Sequence, residues 1–191
     1  MMSTKYKFRD QSKLYFVSFA VVYWIDVFIR NEYKDILLDS WRYCQKAKGL
    51  EIYAWCIMSS HVHMIIGTNA NNMEYILRDM KRHTAEKFRE AIAANSKESR
   101  REWMRWMMER AGKKNSNNQD FQFWQQDNHP IELNTPPVTH QKLDYLHNNP
   151  VEAGFVRHPE DYLYSSAIDY YTEGRGLINI LRIDSILKSN V

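Results

Sequence analysis

Cysteine is nearly absent: only Cys44 and Cys56 occur among 191 residues. That scarcity excludes a disulfide framework and any finger built on closely spaced cysteine pairs, and a reducing, cytoplasmic setting is the expectation. Long apolar runs are missing too. No stretch of about 18 consecutive apolar residues exists, so no membrane span is expected. Residues 1–10 are polar and lack the apolar core of a secretory leader. There is no internal repeat and no low-complexity tract. Charge of one sign is also scarce, since the net value of +3 is too small to argue for a polyanionic partner by itself.

What is present is ordinary globular material, 44% hydrophobic and 14% aromatic. The length predicts one domain over residues 1–191, large enough to bury a core. Residues 14–27 are rich in β-branched and aromatic side chains and read as a long first strand. Residues 31–48 show helical spacing and end at Gly49. Two apolar strands, 50–58 and 61–66, are joined by Ser59-Ser60 as a hairpin, and a helix is predicted over about 73–94. A further helix starts near Ser96 and stops at Gly112, inside a basic, insertion-like stretch at about 96–120. Short extended pieces follow at 121–124 and 129–133. Thr135 and Pro136 open a last helix that Pro150 ends, and a mixed tail occupies 151–191. This order of elements predicts an α+β fold, an antiparallel sheet with helices packed mainly on one face and the other face able to stay open.

The charge is unevenly spread. Residues 74–114 hold twelve Lys and Arg against seven Asp and Glu, so that region carries +5 and the rest of the chain −2. Such a segment is either a phosphate-binding patch or a solvated helical face of mixed charge.

The segment most specific in its chemistry is Cys56-Ile-Met-Ser-Ser-His61-Val62-His63-Met-Ile-Ile66. On a strand, His61 and His63 point the same way and Val62 points to the opposite face. Two neutral imidazoles side by side can ligate a metal; alternatively they are two unrelated half-buried histidines. Val62, Met64 and Ile66 suit the packed face, which leaves the pair on the other. In the last helix Tyr145 and Asn149, four apart, share one face, while Leu143 and Leu146 mark an apolar stripe elsewhere. Taken alone, these are as readily a surface tyrosine and a helix-ending asparagine.

The ordered set of His61-Val62-His63 after a strand, Tyr145-Leu-His-Asn-Asn149-Pro150 on a later helix, then Val151-Glu-Ala-Gly-Phe-Val156, His158-Pro159 and Tyr164-Ser-Ser166, resembles the single-tyrosine HUH transposases of the insertion-sequence-200-like group. It is most similar to their REP-associated tyrosine transposase branch, over roughly residues 15–170. Met58-Ser59-Ser60 departs from the Met-Pro-Asn common in that branch, which we read as a variation of the hairpin turn. The basic stretch 96–120 lies outside the minimal pattern. The resemblance implies a ferredoxin/RRM-like HUH nuclease fold and cleavage of single-stranded or hairpin DNA through a 5′-phosphotyrosine. It implies Tyr145 as nucleophile and His61, His63 and Asn149 as ligands of Mg²⁺ or Mn²⁺. A monomer or a homodimer is compatible with it.

Candidate DNA contacts are Lys81, Arg82, Arg100, Arg101, Arg105, Lys113 and Lys114, with Trp124 and Gln125 as a stacking and amide-bonding pair; a loop anchored by a buried Trp124 is the alternative. Trp103, Trp106, Met107 and Arg110 are expected to pack on the body of the protein. His83, His140, His147 and His158 read as ordinary, partly exposed histidines. Two other readings stand beside the transposase: a domesticated hairpin-binding protein without cleavage activity, and a metallohydrolase completing the histidine pair with Asp127, His129 and Glu132.

Overall fold

A computed structural model describes residues 8–70, 72–115, 120–126 and 128–183. Four strands form one antiparallel sheet: β1 (Tyr15–Ala20), β2 (Leu50–Ile57), β3 (His61–Thr68) and β4 (Ile131–Glu132), in the order β2-β3-β1-β4. Among the described residues it is accompanied by the α-helices α1 (Asn31–Lys48), α2 (Met73–Ala94), α3 (Arg101–Lys113), α4 (Pro136–Glu152) and the short α5 (Ala167–Tyr171).

The local rules act as read in most places. Gly49 closes α1 in the left-handed region at φ 73° and donates its N–H to the Cys44 carbonyl, as a glycine C-terminal cap does. The β2–β3 hairpin turns on Ser59-Ser60, with Met58 N–H donating to the His61 carbonyl at 2.8 Å.

Three expectations need correction. The first strand does not run to residue 27: it ends at Ala20, and the chain makes two 3₁₀ turns, Val22–Trp24 and Val27–Ile29, before α1. Gly112 does not stop α3, which begins at Arg101 and runs to Lys113. The glycine is there because the backbone of Asp120 and Phe121 crosses where its Cβ would stand. Pro150 does not end α4 either. The helix continues to Glu152, the proline sitting in its last turn.

The sheet is covered on both faces. On one, Val17, Phe19, Ile52, Trp55, Ile57, Val62, Met64 and Ile66 pack with residues of α1 and α2, including Leu37, Trp41, Ile76 and Phe88, in the main core. On the other, Phe16, Ala54, Cys56 and Ile65 pack with Leu143 and Leu146 of α4 in a smaller one. A register shift between Ile52 and Ala54 lets Ile52, Trp55 and Ile57 share the main core despite their uneven spacing. The second face, which such a sheet is able to leave open, is roofed here by α4. The tail runs along the free edge of β2: Ile57 N–H donates to the Tyr164 carbonyl and Ser166 N–H to the Trp55 carbonyl, both at 2.9 Å. Covering an edge in this way removes a row of unpaired backbone groups.

Candidate active site

His61 and His63 lie on β3 opposite Ala20 and Ser18 of β1, and Cys56 of β2 is the other cross-strand neighbour of His63. Their rings meet edge to face with centroids 4.8 Å apart. His63 is 4% exposed and neither of its ring nitrogens has a hydrogen-bond partner. Two buried, unpartnered imidazole nitrogens are rare in a folded protein, because each forfeits its bond to water without replacement. Burial pushes the His63 imidazole down to about 3, and the charges of His61 and Lys142 act in the same direction. Burial also lowers the basicity of His61, whose Nδ1 lies 3.3 Å from the Ser60 hydroxyl. Both rings are therefore neutral at physiological pH, the form that offers a lone pair to a cation.

Tyr145 projects from α4 towards this pair. Its ring centroid is 5.3 Å from that of His63 and 6.0 Å from that of Phe16, which itself stacks on His63 at 5.5 Å. The side chain stays 43% exposed while Leu143 and Leu146, flanking it in sequence, are buried. The helical stripe thus aims the phenol at the rim of the sheet rather than into the core. One turn later Asn149 Nδ2 donates to the Tyr145 carbonyl at 3.1 Å, leaving the amide oxygen uncommitted by that bond. One turn earlier, Lys142 Nζ lies 5.6 Å from the Tyr145 ring centroid and 5.3 Å from that of Phe16.

Lys142 was legible as a helical neighbour of Tyr145, three residues before it, yet its partner Phe16 comes from β1 and is not visible locally. His147 is not partly exposed: it is fully buried, with Nε2 at 2.9 Å from the Ser166 hydroxyl, and burial pushes it down to about 4. The same Ser166 hydroxyl accepts the Trp55 N–H at 2.9 Å. His147 thus ties α4 to β2 and the start of α5. Leu143, Leu146, His147 and Pro150 follow the i, i+3, i+4, i+7 spacing of a packed stripe, the signal in the sequence that could have placed this histidine inward.

The candidate DNA contacts divide into three groups. Lys81 Nζ donates to the Gln125 carbonyl and to Asn128 Oδ1, and Gln125 Nε2 donates to the Val21 carbonyl, so these side chains brace the loop against β1 and α2. Trp124 is 5% exposed, donates its indole N–H to Thr84 and sits among Phe19, Phe28, Phe88 and Phe123; it anchors the loop and has no open face for a base. Arg100 spends its guanidinium on the buried Glu98 and on Asp26. Arg82 pairs with Asp79, and Arg101 and Arg105 lie against Glu102 and Glu109 in exposed pairs, which solvent screens heavily. Lys113 and Lys114 are exposed at the end of α3. Trp103 and Trp106, expected on the body of the protein, are about half exposed, because Met104, Met108 and Ala111 form the packed face of α3. Met107 does pack against the core.

Among the described residues no three His, Cys, Asp or Glu side chains are grouped to hold a metal. Asp127 lies outside the described residues, and Glu132 sits in β4 opposite Tyr15. Among the described residues no helix is long and apolar enough to cross a membrane.

A histidine pair on the sheet thus faces a tyrosine on the helix that roofs it. Residues 14–119, more than half of the chain, match the family described as Transposase IS200 like; the protein belongs to that family of DNA-processing transposases. Among solved structures, a REP-associated tyrosine transposase bound to a REP hairpin shares the fold with a TM-score of 0.62 and 15% identity, over 86% of this chain and 82% of that one. A putative transposase from Deinococcus radiodurans superposes with a TM-score of 0.42 and 17% identity, over 76% of this chain and 97% of the other. No curated protein sequence matches the chain.

Proposed function

We propose that this protein is a metal-dependent single-stranded DNA endonuclease and strand-transferase that acts through a 5′-phosphotyrosine on hairpin-forming repeat DNA. The observation that carries the reading is His63: two buried ring nitrogens without partners, 5.3 Å ring to ring from the exposed Tyr145. A neutral imidazole pair with free lone pairs fits a divalent cation. His61 and His63 would hold Mg²⁺ or Mn²⁺ with the Asn149 amide oxygen as third protein ligand. When bound, the ion supplies positive charge that polarises the scissile phosphate and offsets the charge growing on the departing oxygen.

The rest falls to the chain's own side chains. The Tyr145 hydroxyl attacks the phosphorus, the bond to the 3′-oxygen breaks, and the phenolic proton ends on that oxygen as a free 3′-hydroxyl. The 5′ side of the strand stays esterified to the tyrosine, and the reverse transesterification rejoins it with no external energy source. A fixed cation offsets the negative charge that passes through the reacting oxygens, and Lys142 Nζ stands 5.6 Å from the Tyr145 ring centroid to supply it. Phe16 and His63 hold the ring from the side, and the Asn149-to-Tyr145 bond couples the third ligand to the nucleophile's own turn of helix. The hairpin-bound relative supports a hairpin substrate.

The test is a denaturant-stable covalent adduct between the full chain and a synthetic DNA hairpin with single-stranded flanks, in the presence of Mn²⁺. Wild type forms it, Tyr145→Phe does not while still binding the hairpin, and His63→Ala loses the metal-dependent part. Adduct formation by Tyr145→Phe overturns the nucleophile assignment. Binding without an adduct in wild type would favour a hairpin-binding protein that has no cleavage activity.

A further inference from the structure

Trp24 is the most exposed tryptophan of the chain, at 59%, and nothing in the chemistry above uses it. A large apolar ring left in water forgoes the main stabilisation that tryptophan brings to a fold. Yet the indole is not on a loose segment. Trp24 N–H donates to the Val21 carbonyl at 3.0 Å, Val22 N–H to the Phe123 carbonyl at 2.7 Å, Val21 N–H to the Ser60 carbonyl at 2.8 Å and Phe28 N–H to the Ser59 carbonyl at 2.8 Å. The turn is thereby tied to the hairpin that carries the histidines. Within it, Tyr23 and Trp24 both have left-handed backbone, φ 56° and 57°. Side chains other than glycine adopt that region at a cost, and such strain persists where its surroundings enforce it, frequently at functional sites.

What the strained turn achieves is the placement of one ring. The indole meets His61 edge to face, with centroids 5.4 Å apart. His61 meets His63 at 4.8 Å and His63 meets Tyr145 at 5.3 Å. The histidine pair therefore has the nucleophile at one end and a solvent-exposed indole at the other. In a displacement at phosphorus the attacking and leaving oxygens lie roughly in line on opposite sides. With Tyr145 attacking from the His63 end, the nucleotide whose 3′-oxygen departs lies towards the His61 end, where Trp24 stands. Bases of single strands stack on exposed aromatic faces irrespective of sequence.

We propose that Trp24 is a base-stacking subsite for the nucleotide that keeps the 3′-hydroxyl, holding that end in place for rejoining. The proposal rests on the transposase reading for the identity of the strand, while the stacking itself can be measured without catalysis. In EDTA, fluorescein-labelled dT12 and a fully abasic 12-mer are titrated with wild type, Trp24→Ala and Trp24→Phe, each checked by circular dichroism for an unchanged fold. Trp24→Ala is expected to weaken dT12 binding about 5- to 150-fold, Trp24→Phe to recover most of it, and neither to alter binding of the abasic oligomer. Binding of dT12 by Trp24→Ala within twofold of wild type overturns the proposal, as does an equal loss on the abasic oligomer or no dT12 binding by wild type.

The side is tested with the hairpin of the adduct assay. An abasic site at the nucleotide that keeps the 3′-hydroxyl should slow adduct formation by wild type and leave Trp24→Ala unaffected; an abasic site on the other side of the cut should affect both alike. The reverse pattern overturns the assignment. The two readings fail separately. A Tyr145 adduct with no Trp24 effect removes only the subsite, and a Trp24-dependent grip on dT12 with no adduct from any variant removes the cleavage reaction, and with it the side of the cut, but leaves the stacking contact.

Discussion

His63 is half of a paired motif in an apolar run and His147 stands between Leu146 and Asn148; the structure buries both and gives them opposite tasks. His63 is buried with both nitrogens unspent, while His147 bonds the Ser166 hydroxyl through Nε2. His147 Nδ1 is also buried without a partner, but the Nε2 bond to Ser166 makes this histidine a structural tie. His147→Ala leaves a cavity and strips a partner from Ser166, so we expect a loss of about 2–4 kcal/mol in unfolding free energy by urea titration. Because Tyr145 shares the helix, adduct formation should fall as well at temperatures where the variant is folded. Wild-type stability in that variant would show that the bond to Ser166 contributes nothing. Arg100 teaches the same lesson on charge: read as a phosphate contact, it is held by Glu98 and Asp26, acids that its own helix pattern does not announce.

Among the elements, α3 shows how a glycine in a helix can be misread. A glycine after a run of apolar and basic residues signals a stop, but Gly112 is followed by another helical residue and is buried against the backbone of Asp120 and Phe121. In a free helix, glycine to alanine stabilises by up to about 1 kcal/mol. Here the added methyl meets main chain, so Gly112→Ala should instead cost about 1–3 kcal/mol, read as a lower urea midpoint. A gain in stability would show that the 120–121 segment moves aside freely. The helix α4 was legible in the Thr135-Pro136 start and the Leu143–Leu146 stripe, and its far end was not, because the helix runs two residues past Pro150 and forgoes the i→i−4 bond that the proline cannot donate.

At the scale of the whole molecule, acid is the expected weakness. His63 and His147 have folded values of about 3 and about 4, both below the ordinary imidazole value near 6.5. A depressed folded value means stability that is complete above 6.5 and is lost as pH falls. Between about pH 6 and 4 the unfolded chain takes up two protons the native state refuses, at about 1.4 kcal/mol each per pH unit, or about 3 kcal/mol per unit together. Glu98 extends the loss: burial alone would raise its carboxyl, but hydrogen bonds from Arg100 and Arg30 outweigh that and hold it at about 2, so its contribution fades from about pH 4.5 downward. Urea unfolding in EDTA from pH 7 to 4 should show midpoints dropping steeply below pH 6.5, and a flat profile would contradict the buried, neutral state of these histidines.

Sequence alone determined the parts whose information is local. The hairpin with its alternating histidines, the helices α1 and α2, and the four-residue spacing of Tyr145 and Asn149 follow from periods of two and 3.6 and from turn residues that act within a few positions. The tertiary structure decided everything that depends on segments meeting across many tens of residues. It placed α4 over the second face of the sheet, which buried His63 and brought Tyr145 to it. It turned Trp124 inward and left Trp24 outside beside His61. The physical reason is that a side chain's burial, its partners and its proton affinity are set by what packs against it. For the histidine pair, that neighbour is a helix more than seventy residues further along the chain.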